Sequence, residues 1–213
     1  LMLCVSTAVS QGAKKVLVVA EGKTDITSFA IADGRHLATL LGHFHASATV
    51  IGVDDYVPGS MERYDHVFYI GFSARNVVPG KFLDDVLKTG VSVIWIHTGF
   101  AEFSASHDLS RRYGFRVSHI DSTGEFLTIE RGTDRFTKEE PNLNMVTISN
   151  RAQVEVLATA YAEKTRRRVP YIMRSGNLLY IADSPFSTIS PSDRYILFAD
   201  FLHDILGEDH HAS

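Results

Sequence analysis

The residues best suited to chemistry in this chain sit in a few short, glycine-bearing segments. Gly71-Phe72-Ser73-Ala74-Arg75 opens like the sharp turn that exposes a nucleophilic serine, but Arg75 stands where that turn needs a second glycine, which argues against a serine hydrolase. His97, in Trp95-Ile96-His97-Thr98-Gly99, is suited to general acid or base chemistry with Glu21 or Glu102, because an imidazole titrates near neutrality. No nucleophile is legible beside it, so the geometric criteria for a reactive set are not met and no residue is assigned a catalytic role. His43 and His45 have the i, i+2 spacing of two ligands on a strand, yet no third ligand is legible near them, and a loop at a helix end accounts for both. No metal site is assigned. His107-Asp108 could pair as base and orienter but reads as surface, and His210-His211 lies in a polar tail. Arg166-Arg167-Arg168 falls at a hairpin turn, where charges protect a sheet edge. No glycine-rich phosphate loop follows the first strand-like run, so no nucleotide or other cofactor is indicated.

These groups need a scaffold. The chain has 213 residues, 45% hydrophobic and 22% charged, which suffices for one sizeable core. Lys and Arg number 21 against 25 Asp and Glu, a net charge of −4, whereas a nucleic-acid binder carries a basic stripe; nucleic acid is not an expected partner. Cys4 is the only cysteine, which excludes an internal disulfide and a Cys-rich zinc site. Leu1 to Ser10 is apolar and rich in small residues and reads as the tail of a secretory signal, with a buried first strand as the alternative. The expected organisation is a signal remnant over residues 1–12, one α/β domain over 13–207 and a tail or linker start over 208–213, in an exported protein of the periplasm or cell envelope. No other stretch approaches the roughly 18 apolar residues that a membrane helix needs.

Lys15 to Ala20 reads as a buried parallel strand, and Ala48 to Val53, His66 to Ile70 and Val91 to Ile96 read as the strands that follow. Between them, Leu37, Leu40, Leu41 and Phe44 mark one helix, with Gly42 expected to end it in a left-handed conformation, and Phe82, Leu83, Val86 and Leu87 mark another, closed by Gly90. Such alternation predicts right-handed crossovers and a doubly wound, mostly parallel sheet of flavodoxin-like order. Ala101 to Tyr113 predicts a weaker helix closed by Gly114. Period-two patterning over Gln153 to Glu163, with Val169 to Arg174 and Leu178 to Ala182, predicts an added antiparallel β meander near the C-terminus. Ser190-Pro191-Ser192-Asp193 reads as the cap of a terminal helix with a stripe of Tyr195, Phe198, Leu202 and Ile205, ending at Gly207. In open parallel sheets ligands bind beyond the carboxyl ends of the strands. That places Glu21, Ser73, Arg75, His97 and Thr98 as the candidate ligand-binding residues.

The stretch Trp95-Ile96-His97-Thr98-Gly99 resembles the elbow of class I glutamine amidotransferases, in which a cysteine occupies the strand-to-helix turn; here His97 takes its place. The thiolate needed for covalent amide hydrolysis is then missing, so the resemblance implies the amidotransferase-like fold without that activity. Leu40 to Phe44, Tyr64 to Gly71 with Phe82 to Leu87, and Tyr180 to Phe186 running into Asp193 to Gly207 together resemble the amino-terminal region of bacterial exported proteins. In those proteins an amidotransferase-like domain precedes a polysaccharide-deacetylase-like domain. The resemblance implies a noncatalytic accessory domain that positions a polysaccharide, or a partner, for a covalently linked downstream deacetylase whose metal ligands would lie beyond Ser213. Tyr56, Phe72 and Phe100 would stack on sugar rings. The alternative is a hydrolase that uses His97 as acid or base on a small or glycan substrate.

Overall fold

The computed structural model describes residues 12–26, 28–73, 77–106, 108–138, 140–185 and 193–207. The expectations for residues 1–11, for Arg75, for His107, for the Ser190-Pro191-Ser192 cap and for His210-His211 lie outside the described residues. The elements run β1 (Lys14–Ala20), α1 (Phe29–Leu41), β2 (Ala46–Gly52), β3 (His66–Ile70), α2 (Gly80–Lys88), β4 (Ser92–Ile96), α3 (Phe100–Ser106), α4 (Leu109–Tyr113), β5 (Phe115–Asp121), β6 (Phe126–Arg131), β7 (Asp134–Thr137), β8 (Leu143–Ile148), β9 (Glu155–Ala162), β10 (Arg167–Ser175), β11 (Leu178–Ile181) and α5 (Asp193–Leu206). Among the described residues no helix is long and apolar enough to cross a membrane.

A nine-stranded sheet carries the fold, in the order β2-β1-β3-β4-β11-β10-β9-β6-β7. Its first half is parallel, β1 pairing with β2 and β3, and β4 with β3 and β11. The second half is antiparallel. The last four residues of β3 and β4 and all of β11 are buried irrespective of the face they point to. Continuous burial of β-branched and aromatic residues is what a parallel strand covered on both faces requires, which is why these runs do not alternate. The strand order reverses at β1, which has β2 on one side and β3 on the other, the arrangement of a flavodoxin-like half sheet.

Leu178 to Ile181 does two jobs. It pairs antiparallel with β10, as the expected meander requires, and parallel with β4, which makes it the fifth strand of the parallel half. Four further strands, β5 to β8, occupy a region for which the sequence suggested no element. β6 and β7 extend the main sheet through β9, while β5 and β8 form a separate antiparallel pair.

Local chemistry explains the helix ends. Ser28 caps α1, its hydroxyl accepting from the Ile31 amide at 3.2 Å. The expectation for Gly42 is corrected: it is right-handed, with φ −61°, and the left-handed residue is His45, with φ 42°. The chain continues past α1 in a tighter turn, His43 N to Leu40 O and Phe44 N to Leu41 O, which satisfies the terminal carbonyls and carries Phe44 into the core before it reverses. The helix expected over Ala101 to Tyr113 is two short ones, α3 and α4, the second capped by Asp108 and closed by left-handed Gly114. In α5 the expected Phe198 and Leu202 are buried, with Leu197, Phe201 and Leu206 widening the stripe.

Gly52, at the end of β2, holds the loop after β1 in place. A Cβ there would meet the Gly22 carbonyl oxygen and come within 2.5 Å of Lys23 Cα, both backbone. Gly52→Ala is therefore expected to destabilise the protein by about 1–3 kcal/mol, the usual range for overpacking, measured as a lower midpoint in urea with an unchanged slope.

Candidate functional site

The site grows from the end of β4. Trp95 is fully buried between Tyr69 and Phe103, with ring centroids at 4.2 and 5.4 Å, and its indole Nε1 donates to the Thr98 carbonyl at 2.8 Å. That bond folds the chain back over its own strand within three residues. His97, at the bend, adopts φ 70°. A non-glycine residue in this region costs on the order of 1–3 kcal/mol and persists only where its surroundings over-determine it. Here they do. The His97 amide donates to the Ile181 carbonyl at 2.9 Å, and the His97 carbonyl accepts from Asn144 Nδ2 and from the Tyr180 hydroxyl, both at 3.0 Å. Gly71, at the end of β3, makes room: a Cβ on it would collide with the Thr98 carbonyl and lie 2.6 Å from Thr98 Oγ1. Gly99, with φ 83°, completes the turn into α3.

His97 and Thr98 line a concavity of about 350 Å³, part of it open to solvent, together with buried Tyr180 and Asn144 and exposed Glu102 and His119. Among the described residues, His97 Nδ1 and Thr98 Oγ1 are buried without a hydrogen-bond partner. Burial pulls the His97 pKa below its usual value, opposed by the Asp183 charge, the Gly71 backbone and Glu140. The imidazole is thus held towards its neutral form, able to hydrogen-bond a polar ligand without carrying a charge.

Of the other residues picked from the sequence, Glu21 and Ser73 come together apart from this concavity. Glu21 is buried, and its Oε2 accepts from the Phe72 and Ser73 amides at 2.7 and 2.8 Å, so this carboxylate braces the loops after β1 and β3. Tyr56 and Phe100 are corrected as sugar-stacking residues, because both are core. Tyr56 is 1% exposed, with its hydroxyl donating to Asp85 at 2.7 Å, and Phe100 is 0% exposed, stacked on Phe115 at 5.4 Å. Phe72 is 47% exposed and remains available.

The ion pair beside His97 was not among the residues picked from the sequence. Lys138 and Asp183 are fully or almost fully buried, with Nζ 3.2 Å from Oδ2. The ammonium also donates to the Glu140 carbonyl and, at 2.6 Å, to the Asn142 carbonyl. Asp183 lies just past β11, the strand beside β4, and its one legible signal was an acid directly after a buried strand. Lys138 had none, since a lysine after a short exposed strand reads as surface. Next to Asp183, the Ser184 hydroxyl donates to Asp33 on α1 at 3.4 Å. Burial pushes the Asp33 carboxyl up to about 7, only partly offset by that hydrogen bond.

Two measurements follow from these buried charges. Lys138→Met removes the ammonium from a buried carboxylate and is expected to cost about 3–5 kcal/mol by denaturant unfolding, whereas Lys138→Met with Asp183→Leu recovers much of that loss; equal losses for the single and double variants would refute the coupling. For Asp33 the folded pKa lies above the unfolded value, so the folded state holds the extra proton. Its contribution is present in acid and fades as pH rises through about 7. Stability is expected to fall by about 2–3 kcal/mol more in the parent than in Asp33→Asn between pH 5 and pH 8, measured as urea midpoints.

No protein-family model and no curated protein matches this chain in sequence. Solved structures do match it in shape. A ThuA-like protein of Bacteroides uniformis superposes with a TM-score of 0.62 at 11% identity, covering 93% of this chain and 94% of the other. A GMP synthase component from Thermoplasma acidophilum gives 0.54 at 11% identity, covering 93% and 100%. A glutamine amidotransferase of Thermotoga maritima gives 0.50 at 12% identity, covering 93% and 87%. The chain therefore has the mixed α/β fold shared by ThuA-like and class I glutamine amidotransferase-like proteins.

Proposed function

We propose that this chain is a noncatalytic binding domain built on the amidotransferase-like fold, which holds a carbohydrate or a partner for a polysaccharide-deacetylase-like domain of an exported protein. The observation that carries the reading is the occupant of the elbow. The turn after β4 has the sharp geometry and the left-handed residue of a nucleophile elbow, yet it presents an imidazole. A neutral imidazole can bind and move a proton, but it does not replace the thiolate of covalent amide hydrolysis. The hydroxyl next to it, on Thr98, is buried against Gly71 rather than presented for attack. The buried Lys138–Asp183 pair beside the elbow supports a structural role for the polar groups there. The deacetylase partnership and export rest on the sequence stretches from Leu40 to Gly207 and on the apolar start of the chain.

A second reading, a hydrolase using His97 with Glu102, draws support from the two residues lining one concavity. It requires Glu102 rather than Glu21, whose carboxylate already accepts two backbone amides.

The two readings separate by assay. The purified chain is expected to release neither ammonia from glutamine nor acetate from acetylated oligosaccharides. In the full-length protein His97→Ala should weaken glycan binding while leaving the deacetylation rate at saturating glycan intact. Turnover by the chain that disappears in both His97→Ala and Glu102→Gln, or a full-length His97→Ala protein that binds glycan normally but no longer deacetylates it, would favour the hydrolase.

A further inference from the structure

The main sheet has two edges, and they are built differently. β7 is four residues long and carries Asp134 and Arg135, the latter bonded to Glu130 at 2.7 Å and lying 3.5 Å from Glu163. Short length and exposed charge keep an edge strand from pairing with another chain. β2 has neither device. Its sequence, Ala46-Ser47-Ala48-Thr49-Val50-Ile51-Gly52, holds no charge and no proline, and it pairs with β1 over all seven residues without a shift in register. An unguarded edge of this length is a template for one more strand.

The free side of β2 can be read residue by residue. The Lys14 amide donates to the His45 carbonyl, so Ser47, Thr49 and Ile51 turn their backbone groups towards β1, and Ala46, Ala48 and Val50 turn theirs outward. Gly52 also faces outward, but its amide donates to the Thr24 hydroxyl at 2.8 Å. Among the described residues, none bonds the outward amides and carbonyls of Ala46, Ala48 and Val50. Val50 packs on Gly34 of α1, whereas Ser47 and Thr49, on the other face, are exposed.

The geometry points to this edge as the contact between two copies of the chain, their β2 strands running antiparallel about a two-fold axis at Ala48. In that arrangement Ala48 faces the partner's Ala48 and Ala46 faces the partner's Val50, each pair exchanging two backbone hydrogen bonds. The strand is compatible with itself. Alanine at the axis leaves room for its symmetry mate, and Thr49 falls opposite the partner's Ser47, a hydroxyl pair that stabilises antiparallel strands. No charge on either strand meets its like. The flanks select the antiparallel sense: residues 42–47 hold exposed His43 and His45 and no acid, with Lys14 beside them on β1, while residues 52–55 hold exposed Asp54 and Asp55 and no base. Lys23 and Lys81 lie near Asp55 and offset those acids in part. Antiparallel copies bring the start of each strand to the end of the other, so imidazole and ammonium donors meet carboxylates, whereas parallel copies would set acid beside acid. The complement of this edge is thus carried by β2 itself. A seam of one strand buries less than the ~800 Å² per side of a stable interface, so the association is concentration-dependent and is held by backbone bonds.

The test measures the mass of the whole chain by light scattering from about 5 to 500 µM, the range of weak association. The mass is expected to rise from one chain towards two, with hydrogen exchange over residues 46–52 slowing in step. Ala48→Pro removes an outward amide that β1 does not use and is expected to weaken association at least tenfold. Ser47→Lys with Thr49→Lys, on the exposed face, is expected to do the same with an unchanged melting temperature. Ser47→Glu with Thr49→Lys is expected to restore it, because the antiparallel register sets the new acid of each copy opposite the new base of the other. A parent chain that stays monomeric overturns the inference; if deletion of residues 1–11 then yields the dimer, those residues occupy the edge instead. A dimer that the double-lysine variant leaves intact assigns the contact to another surface and also overturns it. Equal loss in the double-lysine and the acid-base variants overturns the antiparallel register.

Discussion

The turn after β4 depends on a hydrogen bond that could form only inside the core. Trp95 is enclosed by aromatic rings, and its indole N–H donates to the carbonyl of Thr98 three residues ahead. Leaving that donor unpaired would cost about 1–3 kcal/mol, so the chain is drawn back over its own strand. The fold-back is sterically possible because Gly71 offers no Cβ at the point of closest approach. The left-handed His97 follows from this closure, and its backbone is then secured from β8 and β11 by Asn144 and Tyr180. The conformation at the candidate site is thus imposed by the core beneath it.

The same logic governs the polar groups around the carboxyl edge of the sheet. Parallel strands buried on both faces end abruptly, and the loops that follow them must find partners for their backbone amides close to an apolar interior. Glu21 supplies two of those partners for the loop after β3. Lys138 reaches in from the segment after β7 and ties Asp183 to two carbonyls of the following loop. Such groups are costly to bury and stable only as a set. They couple the later strands to the parallel half of the sheet, because Lys138 follows β7 and Asn144 lies on β8 of the separate pair, whereas Asp183 and His97 follow β11 and β4.

The added strands also explain why a common fold has an individual site. β5 and β8 lie over the exit of β4, and Val117, His119 and Ile120 of β5 complete the concavity against the elbow. The exposed Phe29–Phe72 pair stands on the loops after β1 and β3, held by Glu21 rather than by this cover. The concavity beside the elbow and the exposed aromatic surface therefore occupy different parts of one strand edge.

By itself the sequence determined the first four strands of the parallel half, β1 to β4. Val16 to Ala20, Val67 to Ile70 and Val93 to Ile96 are continuous apolar runs that only a strand covered on both faces accommodates, and the elbow segment around His97 was legible from Gly99 and its place after a strand. Tertiary structure alone decided the rest. β6 finds its partner in β9 about thirty residues away, and no local pattern encodes a pairing that long, since its register comes from the faces the strands bury. Lys138 and Asp33 carry no mark of burial in their neighbours, because a charged residue enters a core only when its partner, here Asp183 or Ser184, arrives from another element. Tyr56 and Phe100 looked as available as Phe72, and the difference lies in which aromatic rings the fold encloses. Periodicity records which face of an element is apolar, whereas the identity of the group across from it is a property of the assembled fold.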